Sequence, residues 1–178
     1  MLKQFVKTVT YFGTMPTEKR IKLRFLIPLI FGVLAIAALA MSNQLLNAYG
    51  ASQGLMNLES DQISQLKQDN LLVLDVRNKE EYEVSHLKGA VWVEDLDLTK
   101  LDPRQPMLVY CTVGLRSTEF GATLTKQGFH NIYNLNGGLI RWKNQGNTVY
   151  NQFDQPTDSV HVYNQLFGLL LRDGLAVD

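Results

Sequence analysis

Between residues 58 and 146, short apolar runs alternate with helix-like stretches, and this pattern constrains the fold more than any other feature. Leu71-Leu-Val-Leu74 and Met107-Leu-Val-Tyr110 are continuous apolar runs, so each reads as a strand buried on both faces. Ala90-Val-Trp-Val93 and Asn131-Ile-Tyr-Asn-Leu135 read as two further strands. A first helix opens in Leu58 to Lys67, with Ser60 as its N-cap and Ile63 and Leu66 as a short apolar face. Asn78 to Val84 is a second, short polar helix, Thr118 to Lys126 a third, and Leu139 to Gly146 a fourth that carries Trp142. Strands separated by helices imply an α/β fold with a mainly parallel sheet covered by helices on both faces. Sites in such folds lie beyond the carboxyl ends of the strands, and both Asp75 and Cys111 fall there.

Cys111-Thr-Val-Gly-Leu-Arg-Ser117 is the stretch richest in chemistry. It joins a buried strand to a helix and holds the only cysteine. A tight loop at this position turns backbone N–H groups inward and sets a helix N-terminus beneath the sulfur. Both features stabilise an anion and so favour the reactive thiolate. Arg116 adds a fixed positive charge, and Ser117 can cap the helix. A lone cysteine is ordinarily a small buried hydrophobe, but this setting marks Cys111 as a nucleophile. One cysteine cannot form an intramolecular disulfide, so the cysteine count leaves the redox compartment open.

Charge divides the chain. Residues 1–24 hold six Lys and Arg against Glu18 alone, a formal +5, so a net charge of zero leaves −5 for the remainder. An acidic domain argues against nucleic acid as a partner. Phe25 to Met41 is uncharged for 17 residues, and as a helix it would cover about 26 Å, close to a hydrocarbon core. Residues 25–42 are therefore expected to form one N-terminal transmembrane helix, with Pro28 in its first turn. Uncleaved, this is a signal anchor; Ala38-Leu-Ala40 also fits a cleavable signal peptide. The positive-inside rule keeps residues 1–24 cytoplasmic and sends the rest to the periplasm or cell exterior. Residues 43–57 are polar and read as a linker. Residues 147–178 form a C-terminal extension, in which Val162, Leu166, Leu169 and Leu170 have the spacing of an amphipathic helix. Such a face packs on its own domain or docks on a bilayer or a protein partner.

Residues 58–146 resemble the rhodanese-like domain in four blocks taken in order. The first is Asp75-Val-Arg77 with Glu81-Tyr82 and His86-Leu-Lys-Gly-Ala90. The second is Cys111-x-x-Gly114-x-Arg116-Ser117, the active-site loop. Lys126-Gln-Gly128-Phe129 and Leu135-Asn-Gly137-Gly138-x-x-x-Trp142-x-x-x-Gly146 complete the set. Ser85 departs from the pattern, which commonly has Gly before the His; the change bears on a turn. The resemblance implies a central, mainly parallel five-stranded sheet and a sulfurtransferase. Cys111 would attack the outer sulfur of a sulfane donor such as thiosulfate and carry it as a persulfide, cradled by the N–H groups of Thr112, Val113, Gly114, Leu115, Arg116 and Ser117. Cyanide or a thiol would then accept the sulfur in the second step of a covalent cycle. No metal or separate cofactor is implied. Arg116 would hold an anionic donor group or brace the loop, while Asp75 and Arg77 would support it. His86 is expected to cap a turn near Glu81, and His130 and His161 to lie on the surface.

Four residues separate Cys111 from Arg116. Related cysteine phosphatases have five, which widens the loop for a tetrahedral phosphate, so the shorter loop favours sulfur transfer over phosphatase or arsenate reductase chemistry. Thr112, Val113 and Leu115 are uncharged, which points to modest thiosulfate affinity and a different natural donor. The alternative from another class is a membrane-tethered binding module without turnover.

Overall fold

The computed structural model describes residues 17–52, 54–65 and 70–178. The chain divides into two compact units, with the boundary between Gln44 and Leu45. Helix α1, Thr17–Ser52, contains the uncharged run. Pro28 stands inside α1, not in its first turn as expected, and there it removes one backbone hydrogen bond. The described side chains from Phe25 to Leu34 are exposed, Phe25 at 71% and Phe31 at 68%. Among the described residues no helix is long and apolar enough to cross a membrane; the side chains of residues 35–36, 38–40 and 42–43 lie outside them. Of the basic segment 1–24, residues 1–16 also lie outside the described residues.

The second unit is α/β. Five strands, β1 (Met56–Leu58), β2 (Leu72–Asp75), β3 (Val91–Trp92), β4 (Met107–Tyr110) and β5 (Ile132–Leu135), form one sheet in the order β1-β5-β4-β2-β3. Every pairing in this sheet is parallel. All four side chains of β4 are fully buried, and they divide by parity. Met107 and Val109 enter one core cluster with Leu124, Phe129 and Ile132. Leu108 and Tyr110 enter the other with Leu135, Leu139 and Ile140. This is the period-two geometry of a strand covered on both sides, and it explains why β4 needs no polar residue.

The helices cover opposite faces. α2 is Ser60–Gln65, α3 Lys79–Val84, α4 Leu115–Lys126 and α5 Gly138–Asn144. Tyr82 of α3 packs on the cluster around Tyr110, and Leu124 of α4 lies in the cluster around Val109. The chain therefore leaves β2 and β4, which are neighbours, toward opposite faces, and a crevice opens beyond their carboxyl ends. Helix α2 begins at Ser60 and not after it; the Glu59 N–H is taken by the Gln62 side chain at 2.8 Å, so Ser60 is not the cap. Leu66, expected on its apolar face, lies outside the described residues.

Two expectations about the segments flanking residues 58–146 are corrected. Residues 43–57 are not a free linker: α1 continues to Ser52, and Met56–Leu58 becomes edge strand β1. Leu55 and Leu58 are each 4% exposed, and the Asn57 side chain joins Asn134 at 2.7 Å, so burial outweighs the polar composition. Residues 147–178 hold no long amphipathic helix. They form β6 (Val149–Tyr150) paired antiparallel with β7 (Pro156–Thr157), then β8 (Ser159–His161), a single turn α6 (Gln165–Gly168), and β9 (Leu175–Val177) parallel to β8. Val160 and Val162 are buried in the domain core, whereas Leu166 and Leu169 are 75% and 80% exposed. Alternation won over helical spacing because β-branched Val160 and Val162 can both face the core from extended backbone.

Asp75 and Arg77 form a wholly buried ion pair at the end of β2. Arg77 Nε donates to Asp75 Oδ1 at 2.9 Å and Nη2 to Oδ2 at 2.6 Å. Nη2 also donates to the Ser85 carbonyl, and the Arg77 carbonyl accepts from Trp92 Nε1 at 2.8 Å. Burial alone would lower the Arg77 pKa, but Asp75 outweighs it and the guanidinium is held more firmly charged than usual. Asp75→Ala and Arg77→Met should each cost about 3–5 kcal/mol, because each strands a buried charge. The double variant should cost less than their sum, read as a positive coupling in urea unfolding midpoints; strict additivity would disprove the pairing.

Candidate active site

Cys111 follows β4 directly and is 1% exposed. The loop ahead of α4 is shaped from outside. Two N–H groups at the start of α5 donate to it: Leu139 to the Cys111 carbonyl at 2.9 Å, and Ile140 to the Thr112 carbonyl at 3.1 Å. These bonds fix the Cys111–Thr112 and Thr112–Val113 peptide planes at the start of the loop. The Gly114 N–H donates to Cys111 Sγ at 3.1 Å, and the Ser117 hydroxyl lies at 3.6 Å. Of the N–H groups from Thr112 to Ser117 expected to cradle a persulfide, that of Gly114 donates to Sγ itself, and the Ser117 contact is made by its hydroxyl.

Two glycines make this approach possible. Gly114 has φ +94° and is the N-cap of α4, so Ser117 is not the cap; it sits inside the first turn with its hydroxyl aimed at the sulfur. Gly138 has φ +62°, and a Cβ there would stand 2.3 Å from the Cys111 carbonyl oxygen and 2.7 Å from the Thr112 carbonyl carbon. Any side chain at 138 would push α5 off the loop.

Glu81 is the residue that sequence reasoning quoted in a motif but gave no role. It is 1% exposed on α3 and takes the loop from the other side of the crevice. Arg116 grips it with two bonds, Nη1 to Oε2 and Nη2 to Oε1, each 2.7 Å. Thr112 Oγ1 donates to Glu81 Oε1 at 2.7 Å and accepts from Arg116 Nη2 at 2.9 Å. The Asn78 N–H donates to Glu81 Oε2 at 3.1 Å. Burial alone would raise the Glu81 pKa, but the Arg116 and Thr112 hydrogen bonds, the Arg116 charge and the Asn78 N–H together hold it below its ordinary range.

Of the two roles expected for Arg116, the loop brace is the one its contacts fill. Asp75 and Arg77 lie beside the base of the loop: the Arg77 guanidinium is 5.7 Å from the Tyr110 ring centre, and Tyr110 precedes Cys111. His86 Nδ1 lies 3.0 Å from the Tyr82 carbonyl and its ring stacks on Tyr82, so it closes the end of α3. His130 is exposed, and His161 Nδ1 accepts from the Tyr163 N–H at 3.1 Å. Ser85 lies at φ −165°, extended backbone that needs no glycine. A pocket of about 170 Å³ opens over the sulfur, lined by Cys111, Thr112, Val113, Leu115 and Arg116 and closed by Tyr163 and Phe167 of the C-terminal extension. Sequence reasoning missed both aromatics, because they lie some 50 residues beyond the loop and only the fold returns them to it.

The fold and site define an α/β domain built around one cysteine-bearing, helix-opening loop. Residues 59–145 are a rhodanese-like domain, the family whose description they match. The chain is also 36% identical over 87 residues to a tRNA uridine(34) hydroxylase of Hamiltonella defensa subsp. Acyrthosiphon pisum (strain 5AT), a match covering 43% of this chain and 24% of that protein. It is 33% identical over 96 residues to the protein of the same name from Yersinia pestis (strain Pestoides F), covering 48% of this chain and 27% of the relative. The match thus spans about a quarter of these curated relatives. A crystal structure of thiosulfate sulfurtransferase from Pseudomonas aeruginosa superposes with a TM-score of 0.50 at 21% identity, over 64% of this chain and 23% of that one, which shows shared fold.

A pH test isolates Glu81. Its folded-state pKa lies below the unfolded value near 4.5, so its contribution is present above 4.5 and is lost as pH falls through the folded value. Glu81→Gln should lower the unfolding free energy from urea melts at neutral pH by about 1–3 kcal/mol, and the gap to wild type should narrow as pH falls below 4.5 and close once it has passed the folded value. A gap that persists there would mean that packing, not charge, carries the effect.

Proposed function

We propose that this protein is a sulfurtransferase that carries sulfane sulfur as a persulfide on Cys111. One observation carries the reading: a buried sulfur that accepts the Gly114 N–H at 3.1 Å, within reach of the Ser117 hydroxyl, at the floor of a small open pocket. Donors aimed at the sulfur stabilise the charge that returns to it when it leaves in the second step. In the first step the Cys111 thiolate attacks the outer sulfur of a donor. With thiosulfate, the donor S–S bond breaks and sulfite leaves with the bonding pair. In the second step cyanide or a thiolate attacks the outer persulfide sulfur and Cys111 departs as thiolate. No general base is required. Arg116 serves to hold the loop closed through Glu81, and the four-residue spacing to Cys111 favours sulfur transfer over phosphatase or arsenate reductase chemistry.

The name of the curated relatives offers a second reading, action on tRNA. Residues 25–178 carry a net −5, which disfavours a polyanion, and three quarters of each relative has no counterpart in the match. Sulfur transfer is therefore preferred.

Intact mass of the purified full chain before and after thiosulfate or inorganic polysulfide tests the chemistry. We expect a gain of one sulfur atom, reversed by cyanide and absent in Cys111→Ser. A folded protein that gains no sulfur from either donor would favour a binding module instead.

The uncharged run 25–41 is proposed as an uncleaved anchor, with residues 1–24 in the cytoplasm and the rhodanese-like domain in the periplasm or outside the cell. The basic flank and the exposed Phe25, Leu29 and Phe31 support it. In a bacterial host, the full-length protein should resist carbonate extraction from membranes, and added protease should reach the domain in spheroplasts. Recovery in the soluble fraction at full mass would refute the anchor.

A further inference from the structure

The pocket over Cys111 has two unlike walls. One is the family's loop; the other is Tyr163 and Phe167, which lie outside residues 59–145. This second wall is built with care for its position. Val162 is 1% exposed, and its N–H donates to the Val177 carbonyl at 2.8 Å, which ties the segment to β9. Tyr163 has φ +70°, left-handed backbone that a bulky residue seldom adopts. The His161 ring accepts the Tyr163 N–H at 3.1 Å, and the Asn164 side chain accepts the Phe167 N–H at 3.0 Å. The two rings lie 6.1 Å apart.

Charge is missing from this pocket in a specific way. Thr112, Val113, Leu115, Tyr163 and Phe167 are uncharged, and Arg116 is the one cation in the lining. Both of its terminal nitrogens are engaged by Glu81, and the Tyr163 ring covers its Cζ at 4.8 Å. An anionic head such as a sulfonate or carboxylate would meet an arginine already neutralised by a buried carboxylate. An uncharged organic group would meet two aromatic faces and the side chains of Val113 and Leu115. A volume of about 170 Å³ suits a group of benzene size.

On the sulfurtransferase reading above, we infer that Tyr163 and Phe167 are specificity-determining residues that select an uncharged, apolar organic persulfide or thiol as sulfur donor or acceptor. The R group of R–S–SH lies against the two rings with its terminal sulfur on Cys111. The Cys111 thiolate attacks that sulfur, the donor S–S bond breaks, and R–S⁻ leaves with the bonding pair and takes up the proton as R–SH. One S–S bond is made and one broken, so no external oxidant is needed. The reverse route loads R–S⁻ from the Cys111 persulfide.

The test uses the full-length chain in mild detergent with four donors: propyl persulfide, benzyl persulfide, 2-carboxyethyl persulfide and inorganic polysulfide. Wild type should show kcat/KM about ten-fold or more higher for the propyl and benzyl donors than for the carboxylate of similar size, the discrimination one apolar pocket can supply. Tyr163→Ala and Phe167→Ala should each lower the benzyl-to-polysulfide ratio of kcat/KM about ten-fold, mainly through KM, while Tyr163→Phe keeps the ratio. Partitioning into micelles is common to all variants and cancels in their comparison. Equal use of the propyl and carboxyethyl donors by wild type overturns the inference, whether or not the alanine variants fold. Alanine variants that slow every donor in proportion overturn it too. A wild-type chain that takes no sulfur even from polysulfide sinks the sulfurtransferase reading itself, and the selectivity with it.

Discussion

Two backbone hydrogen bonds set the orientation of the peptide groups around Cys111. Leu139 and Ile140, at the start of α5, draw the carbonyls of Cys111 and Thr112 outward at 2.9 and 3.1 Å. A peptide plane is rigid, so fixing a carbonyl on one side fixes its N–H on the other. The cost falls on residue 138, where a Cβ would stand 2.3 Å from the Cys111 oxygen. The N–H groups fixed in this way are those of Thr112 and Val113, so α5 and the Gly137-Gly138 turn set the first two peptides of the loop, and the Gly114 N–H that bonds the sulfur comes one peptide later.

A second constraint acts through side chains. Glu81 on α3 and Arg116 on α4 belong to helices that cover opposite faces of the sheet, and they meet because β2 and β4 are adjacent and send the chain in opposite directions. Their pair spans the crevice and closes the loop over the sulfur. The same pair removes the free positive charge that an anion would need. Rigidity of the loop and selectivity of the pocket therefore share one physical origin, and a change at Glu81 touches both.

Much of the fold was legible in the residues. β4 reads as a buried strand because Met107 to Tyr110 has nothing polar to expose, and all four side chains prove fully buried. The parallel order followed from helices between strands, and the position of Cys111 from the strand-to-helix transition. Polar segments were read less well. Asn57 looks like linker until its side chain is seen bonded to Asn134, 77 residues away. Val162 to Leu170 carries helical spacing, yet β8 takes Val162's neighbours and leaves Leu166 and Leu169 in solvent. Spacing alone cannot tell which apolar residues will find a core.

By itself the sequence determined the position of Cys111, its loop and the α/β frame, since these depend on local burial pattern, on glycine where φ must be positive, and on a cysteine placed before a helix. Only the tertiary structure decided what surrounds the sulfur. Glu81 comes 30 residues before Cys111 and Tyr163 comes 52 after it. Their roles arise from strand order and from the return of the C-terminal segment across the loop. Contacts of that range are settled by packing the whole domain, and no local pattern records them.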